Sequence, residues 1–345
     1  MTNSPERIGV LIANTGSPKS PAPRDVRAYL GRFLMDARIR PMNKQAWWLI
    51  LHLCILPKRG RVSGAKYDKI WTPQGSPFDV EHAKLRGLLE GELRDAGFDA
   101  RVAVGQSYGF PTIAEAVGKL RNAGCTRLIA LPLYPQSAFS TTLSVKDSVE
   151  AALAACGWSV PWSLVESYGK DPVYLDAIAA CVRAAGFGDQ PGDRLLFNYH
   201  SIPLVDIEAG DTYEVQTGAT ALAIASRLGL ERTQWTVGYN CQFDKGREWL
   251  QPFTRSILER WAHAKPGRVF MVCPNFAVDC LETLYDIDYE LRPYYREQLA
   301  DAGKVLAGNE LVYVPCLNGT TAHAAALAHV LASFIDGKEQ KEHHE

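Results

Sequence analysis

Three carboxylates recur at a constant spacing late in the chain. Glu282, Asp286 and Glu290 lie four residues apart, and on an α-helix that spacing predicts a single acidic face. Like charges so placed destabilise an isolated helix by roughly 0.2–0.5 kcal/mol per pair. A solvated acidic face would need basic partners one turn away, and Arg292 lies too near Glu290 in sequence to face it. The row could therefore handle cations or protons, with a solvated face as the alternative.

A histidine follows an apolar run directly. His200 comes after Leu195–Tyr199 and is followed by Ser-Ile-Pro. The ring nitrogens of histidine accept protons near neutral pH and bind divalent metals, and Pro203 restricts the turn so that the ring would point outward. A histidine at a strand end is also commonly a hydrogen-bonded structural residue. Its position alone leaves both interpretations open.

Short apolar runs rich in β-branched residues alternate with helical patterns along the whole chain. This alternation predicts an α/β fold in which helices cover both faces of parallel sheets. The predicted strands are Ile8–Ala13, Arg101–Val104, Arg127–Leu131, Ser163–Val165, Leu195–Tyr199, Thr236–Tyr239, Val269–Val272 and Leu311–Val314. The predicted helices include Val80–Asp95, Ile113–Ala123, Val173–Ala185, Tyr213–Leu228, Leu250–Ala262 and Ala322–Phe334.

The length predicts two domains. A chain of 345 residues fits two domains of roughly 150–170 residues, and the predicted strands divide into two sheets of four. We expect residues 1–162 to form the first domain and residues 163–309 the second. Residues 310–336, the last strand and helix, would return to complete the first.

Four unusual loops follow predicted strands. They are Asn14–Pro18, Tyr134–Ser137, His200–Pro203 and Pro274–Asp279. In open parallel sheets, ligands bind at the carboxyl ends of the strands, because side chains there face a crevice. We therefore expect the chemistry at these loops.

Several common functions lack their signature. No GxGxxG follows a strand, and neither a P-loop motif nor a GxSxG elbow is present. The formal net charge of −1 gives no electrostatic reason to expect a nucleic-acid partner. The eight cysteines include no Cys-x-x-Cys pair. Scattered thiols are typical of the reducing cytoplasm.

The longest apolar stretch is Trp47–Leu56. It is about half as long as a membrane-spanning helix. A core helix, an interfacial segment and the apolar rim of a ligand cleft all remain open. Lys58, Arg59 and Arg61 follow it and would suit contact with an anionic membrane surface.

Six stretches in order resemble motifs of the ferrochelatase family, and the likeness extends from about Gly9 to Phe334. The stretches are Leu11–Pro18, Gly75–Pro77, Ser107–Gly109, Leu131–Gln136, Tyr199–Pro203 and Asp279–Leu284. The resemblance implies two similar Rossmann-like domains, each a four-stranded parallel sheet flanked by helices, with a porphyrin clamped between them.

The resemblance also implies roles for single residues. His200 would be the active-site histidine and Glu282 the carboxylate facing it across the cleft, and both would bind the metal. Asp286 and Glu290 match an acidic row leading toward solvent. Phe33–Tyr67 would be an apolar lip over the porphyrin. The residues implied to contact the macrocycle are Thr15, Tyr108 and Tyr134.

The implied activity is insertion of Fe²⁺ into protoporphyrin IX, the last step of haem synthesis. Fe²⁺ would be a substrate, with no permanently bound cofactor. No 2Fe–2S cluster is expected, because no cysteine follows Cys316. Thr15 replaces a tyrosine of the coproporphyrin-using branch, which favours protoporphyrin IX. We expect a cytoplasmic protein, with peripheral contact at the inner membrane through the lip as an open alternative.

Two other functions stay open. One is a porphyrin or haem carrier without turnover, and the other is a related chelatase for cobalt and another tetrapyrrole. Retention of both His200 and Glu282 favours the enzyme. Cys241–Leu250 departs from the family pattern, because the Ser of a Gln-Ser pair and the Pro of a Pro-Trp-Leu motif are missing.

Overall fold

Parallel strands form two separate four-stranded sheets in the computed structural model, which describes residues 6–242, 244, 246–264 and 266–337. The first sheet has the order β2-β1-β3-β4, and its strands are β1 (Ile8–Asn14), β2 (Ala100–Gln106), β3 (Arg127–Pro132) and β4 (Trp162–Leu164). The second has the order β6-β5-β7-β8, and its strands are β5 (Arg194–His200), β6 (Trp235–Asn240), β7 (Val269–Val272) and β8 (Leu311–Tyr313).

Helices connect the strands throughout. They are α1 (Pro23–Leu34), α2 (Lys44–Ile50), α3 (Leu56–Ile70), α4 (Pro77–Asp95), α5 (Ile113–Asn122), α6 (Ser144–Cys156), α7 (Pro172–Ala184), α8 (Leu204–Glu208), α9 (Tyr213–Arg227), α10 (Thr254–Ala264), α11 (Arg292–Asp301) and α12 (Thr321–Ile335). Three further segments are π-helical, namely Leu51–Ile55, Phe139–Leu143 and Leu281–Leu291. In the part of the chain that the structure describes, no helix has both the length and the apolar character needed to cross a bilayer.

The first unit spans Met1–Tyr168 and Asn318–Glu345. Its central strand β1 is buried at every position, as expected for a parallel strand with neighbours on both sides and helices on its faces. Leu11 and Ala13 pack with apolar side chains of α5 and α6. Helix α12 packs on α4, so the last helix of the chain belongs to the first unit.

The second unit spans Gly169–Leu317. Its central strand β5 is buried from Arg194 to Tyr199. One face of the sheet carries a cluster that joins Leu196 and Met271 to apolar side chains of α10, α11 and the π-helical segment Leu281–Leu291. The π-helical segment is therefore anchored on the core of the second unit, and it approaches the ends of that unit's strands.

The strands lie where the sequence predicts them, but two edge strands belong to other sheets than expected. Strand β4 pairs with β3 in the first sheet, although Ser163–Val165 was assigned to the second domain. Strand β8 pairs with β7 in the second sheet, although residues 310–336 were assigned to the first. Only α12 returns to the first unit. Hydrophobic patterning identifies a strand but not its partner, and three-residue edge strands carry little register information.

Helices α1 and α3 pack closely because α3 carries two glycines four residues apart. A Cβ at Gly60 would lie 2.9 Å from the Pro23 carbonyl oxygen, and a Cβ at Gly64 would lie 2.7 Å from that of Pro21. Both contacts are with backbone, which cannot rotate away as a side-chain end can. This close approach fixes α3, and with it the preceding helical segments, against α1.

We predict that Gly64→Ala lowers the free energy of unfolding by roughly 1–3 kcal/mol, because the added methyl group overpacks the α1–α3 contact. Gly87→Ala is the matched control, since Gly87 is exposed on α4 with no atom near its Cβ direction. That change should raise stability by about 0.5–1 kcal/mol. Urea unfolding followed by circular dichroism measures both, and equal midpoints for the two variants would contradict the packing argument.

Candidate active site

Three side chains of types that can bind a metal ion converge at the carboxyl edge of the second sheet. His200 is the last residue of β5, and its register partner on β6 is Asn240, directly before Cys241. Glu282 lies at the start of the π-helical segment that follows β7. One donor atom each from His200, Cys241 and Glu282 lies within 4.8 Å of the other two. The strand ends thus bring together residues separated by about eighty positions.

The ring of His200 has a defined orientation. Its Nδ1 is 2.5 Å from the carbonyl oxygen of Ser201. A carbonyl oxygen only accepts hydrogen bonds, so in the neutral ring Nδ1 carries the proton and Nε2 carries the lone pair. Nε2 lies 3.9 Å from Oε2 of Glu282. The nitrogen that can accept a proton or a metal ion therefore points toward the carboxylate.

The turn after His200 is held by the neighbouring strand and by the segment before α10. Ser201 donates its backbone N–H to Asn240 at 2.7 Å and its hydroxyl to the Leu250 carbonyl at 2.9 Å. Pro203 forms an isolated bridge with Trp249. Because Ser201 is fully buried, its carbonyl is a fixed acceptor for the histidine. Trp249 and Leu250 are the last two residues of Cys241–Leu250, the stretch that departs from the family pattern. Phe243 and Lys245 of that stretch lie outside the described residues.

Glu282 presents a buried oxygen toward the site. Its Oε2 has no hydrogen-bond partner among the described residues, although buried polar atoms are normally satisfied. A cation or a proton would satisfy this oxygen. The side chain as a whole is 32% exposed, so the carboxylate remains accessible.

The structure corrects one implied feature of this pair. The resemblance implies that the Glu282 carboxylate faces His200 across the cleft, whereas Nε2 of His200 and Oε2 of Glu282 approach to 3.9 Å within the second unit, where both residues were expected. A flat macrocycle between them would need roughly 3.5–4.0 Å on each side. The observed spacing leaves no room for a ring between the two groups.

Cys241 is a site residue that the sequence interpretation missed. Its thiol lies 3.7 Å from Oδ2 of Asp286 and donates to it. Burial, followed by the charges of Glu282 and Asp286, raises the pKa of this thiol. Its backbone is in the left-handed region with φ 65°, which is uncommon for a residue with a side chain. The available signal was that Cys241 lies two residues after the predicted strand Thr236–Tyr239, near the strand end as His200 is.

The acidic row lies on a π-helix and not on the expected α-helix. In Leu281–Leu291 the hydrogen bonds of the wider turn join residues five apart. A turn then takes between four and five residues, so side chains four apart stay almost in line along the axis. The buried side chains repeat with the same spacing, at Thr283, Ile287 and Leu291. An acidic row thus runs directly beside a buried row.

A basic group from another helix faces the outer end of this row. Arg255 of α10 lies 3.7 Å from Oε2 of Glu290. Arg292 pairs instead with Asp288 at 3.0 Å. Spacing along one helix cannot reveal this partner, because Arg255 comes from the neighbouring helix α10. Glu290 is therefore charge-compensated, while Asp286 lies beside the Cys241 thiol.

The residues implied to contact the macrocycle lie together in the first unit. The Thr15 hydroxyl and the Tyr134 hydroxyl are 2.7 Å apart, and Tyr108 donates its backbone N–H to the Thr15 carbonyl at 2.9 Å. Thr15 and Tyr134 are partly exposed. Tyr108 is only 6% exposed, and its hydroxyl donates to Asp36 at 2.8 Å. Tyr108 thus supports this loop from the interior.

A buried histidine stabilises the same loop. His82 donates from Nδ1 to the Phe78 carbonyl at 2.6 Å, so its Nε2 accepts from the Asn14 amide at 3.2 Å. Asn14 in turn accepts the backbone N–H of Thr15 at 2.7 Å. The pKa of His82 is lowered to about 4, mainly because the ring is buried. The ring therefore stays neutral and holds Asn14 and Thr15 in place.

In Phe33–Tyr67, the segment implied to be the lip, one tryptophan is buried and its neighbour is exposed. Trp47 is 9% exposed and donates its indole N–H to the Leu34 carbonyl at 2.6 Å. Trp48 is 48% exposed and Leu53 is 71% exposed. A groove of about 620 Å³ lies beside them, and its lining includes Arg27, Arg32, Met35, Trp48, His52 and Leu56. The volume is typical of small-molecule sites.

Comparisons with known proteins identify the family of this chain. The family model described as Ferrochelatase matches residues 7–334. The chain is 37% identical to a protein of Nitrosococcus oceani named ferrochelatase, over 96% of this chain and 88% of the relative. It is 36% identical to a ferrochelatase of Haemophilus influenzae, over 92% of this chain and 95% of the relative.

Solved structures show the same fold at low sequence identity. SirB from Bacillus subtilis with Fe³⁺ superposes with a TM-score of 0.59 at 11% identity, covering 97% of this chain and 98% of that chain. The sirohydrochlorin chelatase SirB from Bacillus subtilis subspecies spizizenii, in complex with cobalt, gives a TM-score of 0.52 at 10% identity over the same shares. By the family match over nearly its whole length and by these relatives, the chain belongs to the ferrochelatase family.

Proposed function

We propose that this protein inserts Fe²⁺ into protoporphyrin IX and so forms haem. The observation that carries this proposal is the pair of His200 Nε2 and Glu282 Oε2, 3.9 Å apart at the carboxyl edge of the second sheet. A free porphyrin holds two pyrrole N–H protons, and both must leave when a dication enters. An imidazole lone pair beside a carboxylate can accept protons and can also bind a divalent ion. Membership of the ferrochelatase family supports the same reaction.

Protoporphyrin IX is favoured by two features of the first unit. Thr15 places a small hydroxyl beside Tyr134, where the coproporphyrin-using branch has a second tyrosine. The exposed apolar side chains of Trp48 and Leu53 suit a macrocycle with few carboxylates. Protoporphyrin IX has two propionates and coproporphyrin has four, so an apolar surface discriminates between them.

We propose that Fe²⁺ enters as a substrate and that the protein holds no permanent cofactor. A 2Fe–2S cluster needs four protein ligands, usually cysteine thiolates, and the eight cysteines of the chain are scattered with no Cys-x-x-Cys pair. All eight cysteines are free thiols, which is consistent with the reducing cytoplasm as the proposed location.

We predict that His200→Ala lowers the rate of Fe²⁺ insertion by about 10²–10⁴-fold, because the proton acceptor is lost. Porphyrin binding should be retained. The measurement is anaerobic mixing of protein, protoporphyrin IX and Fe²⁺ while the Soret band is followed. His263→Ala is the matched control, since this histidine is exposed in the same unit, and it should keep full activity. Tight porphyrin binding without turnover in the wild type would instead identify a carrier.

We propose that Asp286 and Glu290 conduct cations or protons along the π-helix toward Glu282. Asp286→Asn should slow insertion roughly fivefold, which corresponds to about 1 kcal/mol for one nearby charge in a wet site. Glu290→Gln should have a smaller effect, because Arg255 already compensates that charge. Initial rates at several Fe²⁺ concentrations and porphyrin dissociation constants measure the two properties separately. Glu297→Gln on the exposed face of α11 is the control. Equal losses of rate and porphyrin binding would contradict a conduit.

We also propose peripheral contact with an anionic bilayer through the exposed apolar side chains around Leu53, with Lys58 and Arg61 beside them. Apolar insertion and basic attraction together anchor such segments. The double variant Trp48→Ser with Leu53→Ser should bind phosphatidylglycerol vesicles about tenfold more weakly in cosedimentation. Val215→Ser removes a side chain that is 73% exposed in the second unit and should change nothing. Equal sedimentation of the double variant and wild type would contradict the proposal.

A further inference from the structure

We propose that Cys241 is a third donor beside His200 and Glu282, and that this nitrogen, sulfur and oxygen set gives the site a preference for Zn²⁺ and Co²⁺ over Fe²⁺. Cys241 would then determine how strongly other divalent ions compete with iron. The selectivity rests on the proposed function, whereas the metal site itself can be tested without porphyrin.

The geometry of the three donor atoms suits one ion. They lie within 4.8 Å of one another, and donors around a tetrahedral Zn²⁺ lie roughly 3.3–3.7 Å apart. Nε2 of His200 and Oε2 of Glu282 are already at 3.9 Å. Small side-chain rotations therefore close the set, and a fourth position is left open for water or an incoming pyrrole nitrogen, as in catalytic zinc sites.

The surroundings of the three donor atoms favour metal binding. The Ser201 carbonyl fixes the His200 tautomer, an arrangement that metal-binding histidines commonly have. Oε2 of Glu282 has no hydrogen-bond partner among the described residues. The Cys241 thiol faces Asp286 at 3.7 Å. When the S–H bond breaks and the sulfur–metal bond forms, the Asp286 carboxylate is positioned to take the proton.

The chemistry of the third donor sets the preference. A histidine and a carboxylate already bind Fe²⁺ more weakly than Co²⁺ in the general order of affinities, and an added thiolate strengthens the binding of zinc. Zn²⁺ held by three protein donors would dissociate more slowly than from two and would occupy the position that Fe²⁺ needs. Cys241 therefore favours retention of zinc at the expense of iron turnover.

The test titrates the full-length protein with Co²⁺ alone, in the absence of porphyrin, and then displaces Co²⁺ with Zn²⁺. The wild type should show the near-ultraviolet absorption of thiolate-to-cobalt charge transfer. Cys241→Ser should lose this absorption and bind Zn²⁺ roughly 10- to 100-fold more weakly. Cys181→Ser is the control, because it removes a half-buried thiol of α7 in the same unit. Its spectrum should match that of the wild type.

Cys241→Asn is a second variant, since asparagine tolerates the left-handed backbone at this position. It should also lose the charge-transfer absorption, and in both variants Zn²⁺ should inhibit Fe²⁺ insertion less strongly. A wild type that binds Co²⁺ without this absorption, or variants with unchanged Zn²⁺ affinity, would overturn the inference. A wild type that shows the absorption but inserts no Fe²⁺ would overturn the proposed function and support the metal site.

Discussion

The hydrogen bond from His200 Nδ1 to the Ser201 carbonyl is the interaction on which the site depends. It leaves the Nε2 lone pair directed at Glu282, so the same ring nitrogen can accept a proton or hold an ion. The bond persists because Ser201 is fully buried and its own N–H and hydroxyl are engaged by Asn240 and Leu250. The orientation of the imidazole is thus a property of the sheet edge, and a ligand does not have to create it.

The π-helix supplies the second constraint. Its wide turn keeps Glu282, Asp286 and Glu290 nearly in line while a parallel row of side chains enters the core. The two ends of the acidic row also have different charged and polar neighbours. Its inner members lie near a thiol and a histidine, whereas the outer one pairs with Arg255.

The sequence predicts the strands well, because a parallel strand buried on both faces has a nearly continuous apolar sequence, and this pattern does not depend on which strands lie beside it. His200 and Glu282 could be proposed from the family motifs, and their meeting follows from the shared edge of parallel strands. Strand pairing, the π-helical turn and the Arg255 contact could not be predicted, because each depends on which distant segment packs alongside. Cys241 could not be proposed for a different reason. It lies in the stretch that departs from the family pattern, so the resemblance implies no role for it.

The return of α12 to the first unit has a consequence for how the protein is made. Leu327 and Leu331 of this helix are fully buried, and Arg127 on β3 binds the carbonyl oxygens of Phe334 and Ile335 near its end. During synthesis, part of the interior of the N-terminal unit therefore stays uncovered until α12 has been made. The central unit is complete in sequence by Leu317 and can fold first. Domains generally fold in the order of synthesis, but in this chain the unit that begins first is the last whose interior residues have all been made.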